Sequence, residues 1–272
     1  MKALRVLAGT YLTSAMILGF CPPARGQTCH TPSFRDPSEG GFHVGLRHVF
    51  ATFSESGDRG SYQGLIPALT WSHPWVTAEL AVPAYRLERG GEEAIGLGDL
   101  TATGRVAVFR TDGGDFAFGP ELAVMFPTGD RDRDLGMGHV MLMPGAWLRL
   151  DVRDFSLLAQ LGYGGALSSS DHAHHHEEGD AHVAVASPRV NPMNASELEH
   201  ALGIRYAVDP QLSFTARWVG AVPLDDDGLP RQLIGPGITL EGDPLDAAFE
   251  LLVPVAGEPF DFRLSIVMGA QL

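Results

Sequence analysis

The densest set of chemically capable side chains is the run Asp171-His172-Ala173-His174-His175-His176-Glu177-Glu178-Gly179-Asp180-Ala181-His182. Five imidazoles and four carboxylates fall within a dozen residues. Neutral imidazole is a favoured ligand for zinc, copper and nickel, and a loop can gather several around one ion. His172, His174, His175, His176 and His182 are therefore the candidate ligands for a divalent metal, with no obligatory cofactor implied. The competing reading is a solvated polar tract with adventitious affinity. The spacing is not that of a helical HExxH, which argues against a catalytic metal. Ser168-Ser169-Ser170 precedes the tract, but nothing supplies a nucleophile elbow or a third triad member. The chain is not expected to be an enzyme.

A second set emerges from alternation. Glu79, Arg105, Arg149, Gln160, Glu199, Arg205, Arg217, Glu250 and Arg263 each lie on the polar face of a segment whose opposite face is apolar. Lining a lumen, they would either cross-link into a network of ion pairs or present a basic path for anionic solutes. The first reading is favoured, because about twelve strands leave little free bore once long side chains fill it.

The elements that must position both sets are strands. From Gly96 to Val152 the chain reads as three of them. Leu100, Ala102, Gly104, Val106 and Val108 share one face, against Thr101, Thr103, Arg105 and Ala107. Period-2 alternation of this length means β. Phe155, Leu157, Ala159, Leu161 and Tyr163 repeat the pattern, as do Leu212, Phe214, Ala216 and Trp218. The last segment sets Phe260, Phe262, Leu264, Ile266, Met268, Ala270 and Leu272 against Asp261, Arg263, Ser265, Gly269 and Gln271. No convincing 3.6-residue period competes. Twelve strands are expected at about 41–54, 61–72, 74–87, 96–110, 114–127, 137–152, 154–167, 196–208, 211–223, 231–241, 245–256 and 260–272. Each has the roughly nine to eleven residues that a tilted membrane strand needs.

The connections carry the topology. Ser72-His73, Asp112-Gly113-Gly114, Arg153-Asp154, Asp209-Pro210 and Gly242-Asp243-Pro244 are tight turns. The first, third, fifth and seventh connections are longer and polar, and the seventh, 168–195, is longest. Short turns alternating with long loops mark a transmembrane β-barrel, with turns on the periplasmic side and loops outside. A final strand that runs to the end of the chain can pair with the first, leaving no edge in lipid. Pro83, Pro144, Pro223 and Pro254 remove ladder donors and are expected at bulges.

Composition agrees. The net charge of −14 is the wrong sign for a nucleic-acid binder. Lys2 and Arg5, an apolar run from Val6 to Phe20, and the small-x-small site Ala24-Arg25-Gly26 read as a signal peptide over 1–26. A short periplasmic segment, 27–40, would follow, then the barrel over 41–272. Lipidation at Cys21 is the alternative, disfavoured by the bulky Phe20 before it. Neither Cys21 nor Cys29 has a metal or redox spacing. Beyond the N-terminal run, no stretch of about 18 apolar residues could form a spanning helix.

Three motifs then suggest a family. Gly96-Leu97-Gly98-Asp99-Leu100-Thr101, Phe126-Pro127-Thr128-Gly129-Asp130 and Leu135-Gly136-Met137-Gly138-His139 resemble the run "GLGDL … PTGD … LGxG" of the MetA-pathway-of-phenol-degradation family, outer-membrane transporters of Gram-negative bacteria. The order and spacing match over about 45 residues. The resemblance implies an outer-membrane channel linked to uptake of hydrophobic or aromatic compounds. Read as residues, Gly98-Asp99 and Thr128-Gly129-Asp130 are foremost turn chemistry. The expected function is passage of a small solute across the outer membrane, with lipid as the surrounding partner. A secreted or periplasmic β-sandwich that binds metal through its histidine loop is the alternative.

Overall fold

The computed structural model describes residues 25–26, 40–55, 58–167, 190, 193–225, 230–243, 245–257 and 260–272. It is a closed antiparallel barrel of twelve strands. In chain order these are β1 (Gly41–Glu55), β2 (Asp58–His73), β3 (Val76–Ala81 continued by Ala84–Arg89), β4 (Glu92–Leu97 continued by Leu100–Val106), β5 (Phe116–Phe126), β6 (Met141–Val152), β7 (Phe155–Ala166), β8 (Ser196–Ala207), β9 (Leu212–Pro223), β10 (Arg231–Leu240), β11 (Leu245–Ala256) and β12 (Phe260–Gln271). Each strand pairs with its successor, and β12 pairs with β1 through registers such as Met268 opposite Leu46. That closure excludes a two-sheet sandwich. Arg25–Gly26 lies antiparallel against Gly220 and Ala221 of β9.

Tight turns join the strands at one end, including Arg153–Asp154, where Arg153 takes φ 56°. The opposite end carries 127–140, and β7 and β9 also end there. Two connections differ from expectation. The first is confined to residues 56–57, and the third is the Gly90–Gly91 turn. The polar residues assigned to loops there instead extend the β1–β2 and β3–β4 hairpins. Hairpin residues beyond the apolar belt carry polar side chains on their outer face as well, such as the Arg86–Glu93 ion pair, so they lose the amphipathic signature.

The outer surface is a belt of apolar side chains. Leu65, Leu69, Leu80, Leu122, Leu161, Ile234 and Phe249 all point outward and are exposed. Phe42, Trp71, Trp75, Phe155, Tyr206 and Phe214 gather toward the turn end, and Phe126 and Tyr163 toward the loop end. An apolar band flanked by aromatic rings is the surface that a barrel presents to lipid. A water-soluble protein does not leave so large a contiguous patch uncovered.

Irregularities fall where the backbone cannot complete its ladder. Pro83 sits in the break of β3. Around Pro144 the β6–β7 register skips from Leu142 to Gly145. Pro254 adjoins the register shift at Gln232/Leu233. At Gly98–Asp99 the alternation of β4 flips, so that Gly96 and Thr101 both face inward. A second flip, between Phe260 and Phe262, corrects the expected face of the last strand. Phe260 is buried against Tyr62 at 5.5 Å, while Asp261 is exposed and accepts hydrogen bonds from Thr52 Oγ1 (3.2 Å) and Ser54 Oγ (2.7 Å).

Candidate functional site

The lumen divides into two halves of different chemistry. The half toward the turn end holds a cavity of about 290 Å³. Glu79, Arg105, Arg149, Arg217 and Glu250 line it, together with Trp147. Charged side chains pair along the wall, within a strand or between strands one or two apart. Arg217 Nη1 donates to Glu250 at 2.8 Å, and both groups are nearly inaccessible to solvent. Arg149 pairs with Asp151 at 2.7 Å, Arg205 with Glu241 at 2.5 Å, and Arg105 with Glu121. Buried opposite charges must pair in this way, because an uncompensated one costs several kcal/mol, about 3–5 when a partner is removed.

Gln160 and Glu199 lie farther from the turn end, beside a niche shared with Glu121 and Met143. Gln160 Nε2 donates to Glu121 at 2.9 and 3.1 Å. Glu197, fully buried, accepts from Arg231 Nη2 at 2.8 and 3.0 Å and from both nitrogens of Asn194, at 2.9 and 2.7 Å. Arg263, opposite Ala51 and Leu252, follows the inward alternation. Arg47, Glu121, Asp151, Glu197, Arg231 and Glu241 were not among the residues singled out from sequence. Their signal was present, since Glu121 alternates with Ala117, Gly119, Ala123 and Met125 on the inward face of β5.

Toward the loop end apolar side chains predominate in the lumen, beside the buried Glu197–Arg231 pair, against the expectation of a polar interior throughout. Val49, Ala51, Phe53, Tyr62, Tyr85, Leu87 and Phe260 pack on one side, with Leu135 and Val190. Met125, Met137, Met141, Met143 and Met193 pack on the other. Leu135 and Met137 belong to the segment 127–140, which folds into the barrel mouth.

Asp99 holds that segment in place. Its Oδ1 accepts from the Gly129 N–H at 2.9 Å and its Oδ2 from the Met137 N–H at 2.6 Å. Thr128 adds a second tie: its Oγ1 accepts from the Leu100 N–H at 2.8 Å and donates to the Gly98 carbonyl at 2.9 Å. Asp130 caps the short 3-10 turn Arg131–Arg133, and Asp134 closes it with φ 58°. Gly129 and Gly136 meet face to face over the Asp99 carboxylate. A Cβ on Gly129 would come 2.6 Å from the Leu135 carbonyl, and one on Gly136 would come 2.6 Å from Asp99 Oδ1. The three motifs are thus one physical unit. A strand break supplies a carboxylate, and two glycine-rich turns supply the N–H groups that it accepts. His139, at the end of the unit, sets its Nε2 3.2 Å from Met141 Sδ. Burial, with Arg131 nearby, holds its pKa below the usual histidine value of 6.5, partly offset by Asp99 and a backbone hydrogen bond at Met137.

The tract with His172, His174, His175, His176 and His182 lies outside the described residues. Among the described residues no group of three or more His, Cys, Asp and Glu side chains is arranged to hold a metal ion.

No family model matches the chain, and no curated protein does. The fold does have solved counterparts. The COG4313 outer membrane channel from Pseudomonas putida F1 superimposes with a TM-score of 0.61 at 13% identity, over 93% of this chain and all of that one. The translocator domain of the autotransporter NalP from Neisseria meningitidis gives 0.48 at 14% identity, over 90% of each chain. At these identities the likeness is one of fold: this chain has the architecture of an outer-membrane β-barrel.

Proposed function

We propose that the protein sits in the outer membrane of a Gram-negative bacterium and passes a small solute through its lumen. The observation that carries this reading is the cavity of about 290 Å³ inside a ring whose exterior is a lipid-facing belt. Such a volume is near the lower end of the roughly 300–1,000 Å³ of small-molecule sites. With the long loops outside, the charged half of the lumen faces the periplasm and the apolar half faces the exterior. A solute arriving from outside therefore meets mostly aromatic, alanine and methionine side chains, with the charges of Glu197 and Arg231 held in a buried pair. That order favours a hydrophobic or aromatic compound over a hydrophilic one, in line with the three-motif resemblance. The segment 127–140 closes the outer mouth, so passage requires it to swing away from Asp99.

Planar-bilayer recording on the refolded protein tests the reading. Brief conductance steps of low open probability are expected, because the closed arrangement predominates. Insertion with no steps, in wild type and in variants that release the segment, would rule out a solute path.

A further inference from the structure

Of the eight methionines, Met1 and Met16 fall in the N-terminal run, and five of the other six meet at one place inside the barrel. Met125 and Met141 are direct cross-strand partners on β5 and β6. Met143 follows on the same inward face of β6, Met137 comes from the folded segment, and Met193 from the chain just before β8. All five are almost completely buried. Methionine fills irregular gaps well, and a packing role alone would explain thioethers surrounded by other apolar groups. Here an imidazole nitrogen also stands 3.2 Å from the sulfur of Met141, so that nitrogen and sulfur donor atoms lie side by side. The His139 ring is further fixed by the backbone of Met137, the kind of support that orients a metal-binding imidazole. Anionic groups stand beside the cluster. At Gly164 an added Cβ would lie 3.7 Å from Met141 Cε and 3.3 Å from both Glu197 Cγ and Glu199 Oε1.

We propose that the methionine cluster with His139 is a binding site for a soft monovalent cation, copper(I) or its analogue silver(I). Thioethers are neutral, polarizable donors that select such ions over zinc or magnesium. One imidazole completes a mixed sulfur and nitrogen set. The ligands come from two bodies. Met137 and His139 belong to the segment 127–140, whereas Met125, Met141 and Met143 belong to the wall. A bound ion therefore joins the segment to the wall. The inference is independent of whether a solute passes through the lumen.

The test loads the full-length protein in detergent anaerobically with copper(I) and challenges it with a bicinchoninate chelator. X-ray absorption then reads the coordination shell. The expected result is one retained equivalent with thioether sulfur in its shell. The histidine tract can supply only nitrogen and oxygen, so the two sites give different spectra. The Met125→Leu/Met141→Leu/Met143→Leu variant keeps side-chain volume; with only Met137 and Met193 left, it should lose most of the sulfur shell while keeping the heat-modifiable gel mobility of a folded barrel. A nitrogen- and oxygen-only shell in wild type, loss of all copper to the chelator, or an unchanged sulfur shell in the folded variant would each overturn the proposal. A second measurement needs no substitution. With methionine methyl groups labelled with carbon-13, silver(I) should shift the five cluster resonances and leave Met268, on the outward face of β12, unmoved. Equal movement of Met268, or no movement of the five, would likewise overturn it.

Discussion

Replacing Asp99 with alanine should open the barrel. The carboxylate accepts two N–H bonds, 2.9 Å from Gly129 and 2.6 Å from Met137, in a buried site. Hydrogen bonds to a charged group are worth roughly 1.5–3 kcal/mol each. Losing both removes about 3 kcal/mol at the low end from the arrangement in which 127–140 fills the mouth. Since about 1.4 kcal/mol is tenfold in an equilibrium, the open population rises on the order of 100-fold. The Thr128 ties to Leu100 and Gly98 remain, so the segment loosens rather than detaches. Asp99→Asn should fall between: one oxygen still accepts, while the new amide N–H faces a backbone N–H. Planar-bilayer open probability reads the effect, with heat-modifiable migration showing that the barrel is intact. An Asp99→Ala barrel that is folded and gates like wild type would refute the latch. It would then have to be assigned to Thr128 and the packing of Leu135 alone.

Gly129→Ala should act in the same direction, because its Cβ would stand 2.6 Å from the Leu135 carbonyl; an unchanged open probability would count against the face-to-face glycine packing. Glu250→Ala strands the Arg217 guanidinium in the lumen and should cost about 3–5 kcal/mol, read as a lower urea midpoint in detergent; an unshifted midpoint would mean that water reaches Arg217. Leu161→Arg places a charge on the lipid-facing belt and should cost roughly 2–4 kcal/mol of insertion energy; full folding yield in lipid vesicles would contradict the membrane assignment. Deleting 172–182 should abolish zinc binding measured by titration calorimetry; equal binding by the deleted form would remove the histidine tract from consideration.

What the chain discloses in sequence depends on whether one residue's neighbours constrain it or distant ones do. The faces of β7 and β9 are legible because lipid and lumen impose opposite polarity on adjacent positions, as in Leu161 beside Gln160 and Trp218 beside Arg217. The β3–β4 hairpin from Ala84 to Leu97 is hidden because beyond the apolar belt both faces meet water, and Arg86 and Glu93 then look like a loop. Phe260 is misread because an extra residue before Phe262 reverses the face, and nothing local in Phe-Asp-Phe announces a bulge. The lumen charges are half legible: alternation puts Arg105, Glu121 and Arg217 on inward faces, but which group meets which, as Arg105 and Gln160 on Glu121 or Arg231 on Glu197, appears only once strand register is known.

The outer half of the lumen teaches the sharper point. Inward Tyr62, Tyr85, Met141 and Met143 break the rule that a barrel's interior is polar, and they do so where 127–140 folds in. The two facts require each other. A loop that inserts Leu135 and Met137 needs an apolar wall to pack on, and an apolar wall facing water would be unstable without a loop to cover it. Asp99 resolves the remaining difficulty, which is that an inserted loop brings backbone N–H groups that water can no longer satisfy. Two of them end on its carboxylate. A carboxylate in a strand break, glycines that let two turns approach it and apolar residues on either side thus form one solution to one problem. That is why the three motifs form one unit in this chain although each alone is ordinary turn chemistry. In the channel proposed above, a solute would have to compete with the folded segment for the apolar wall.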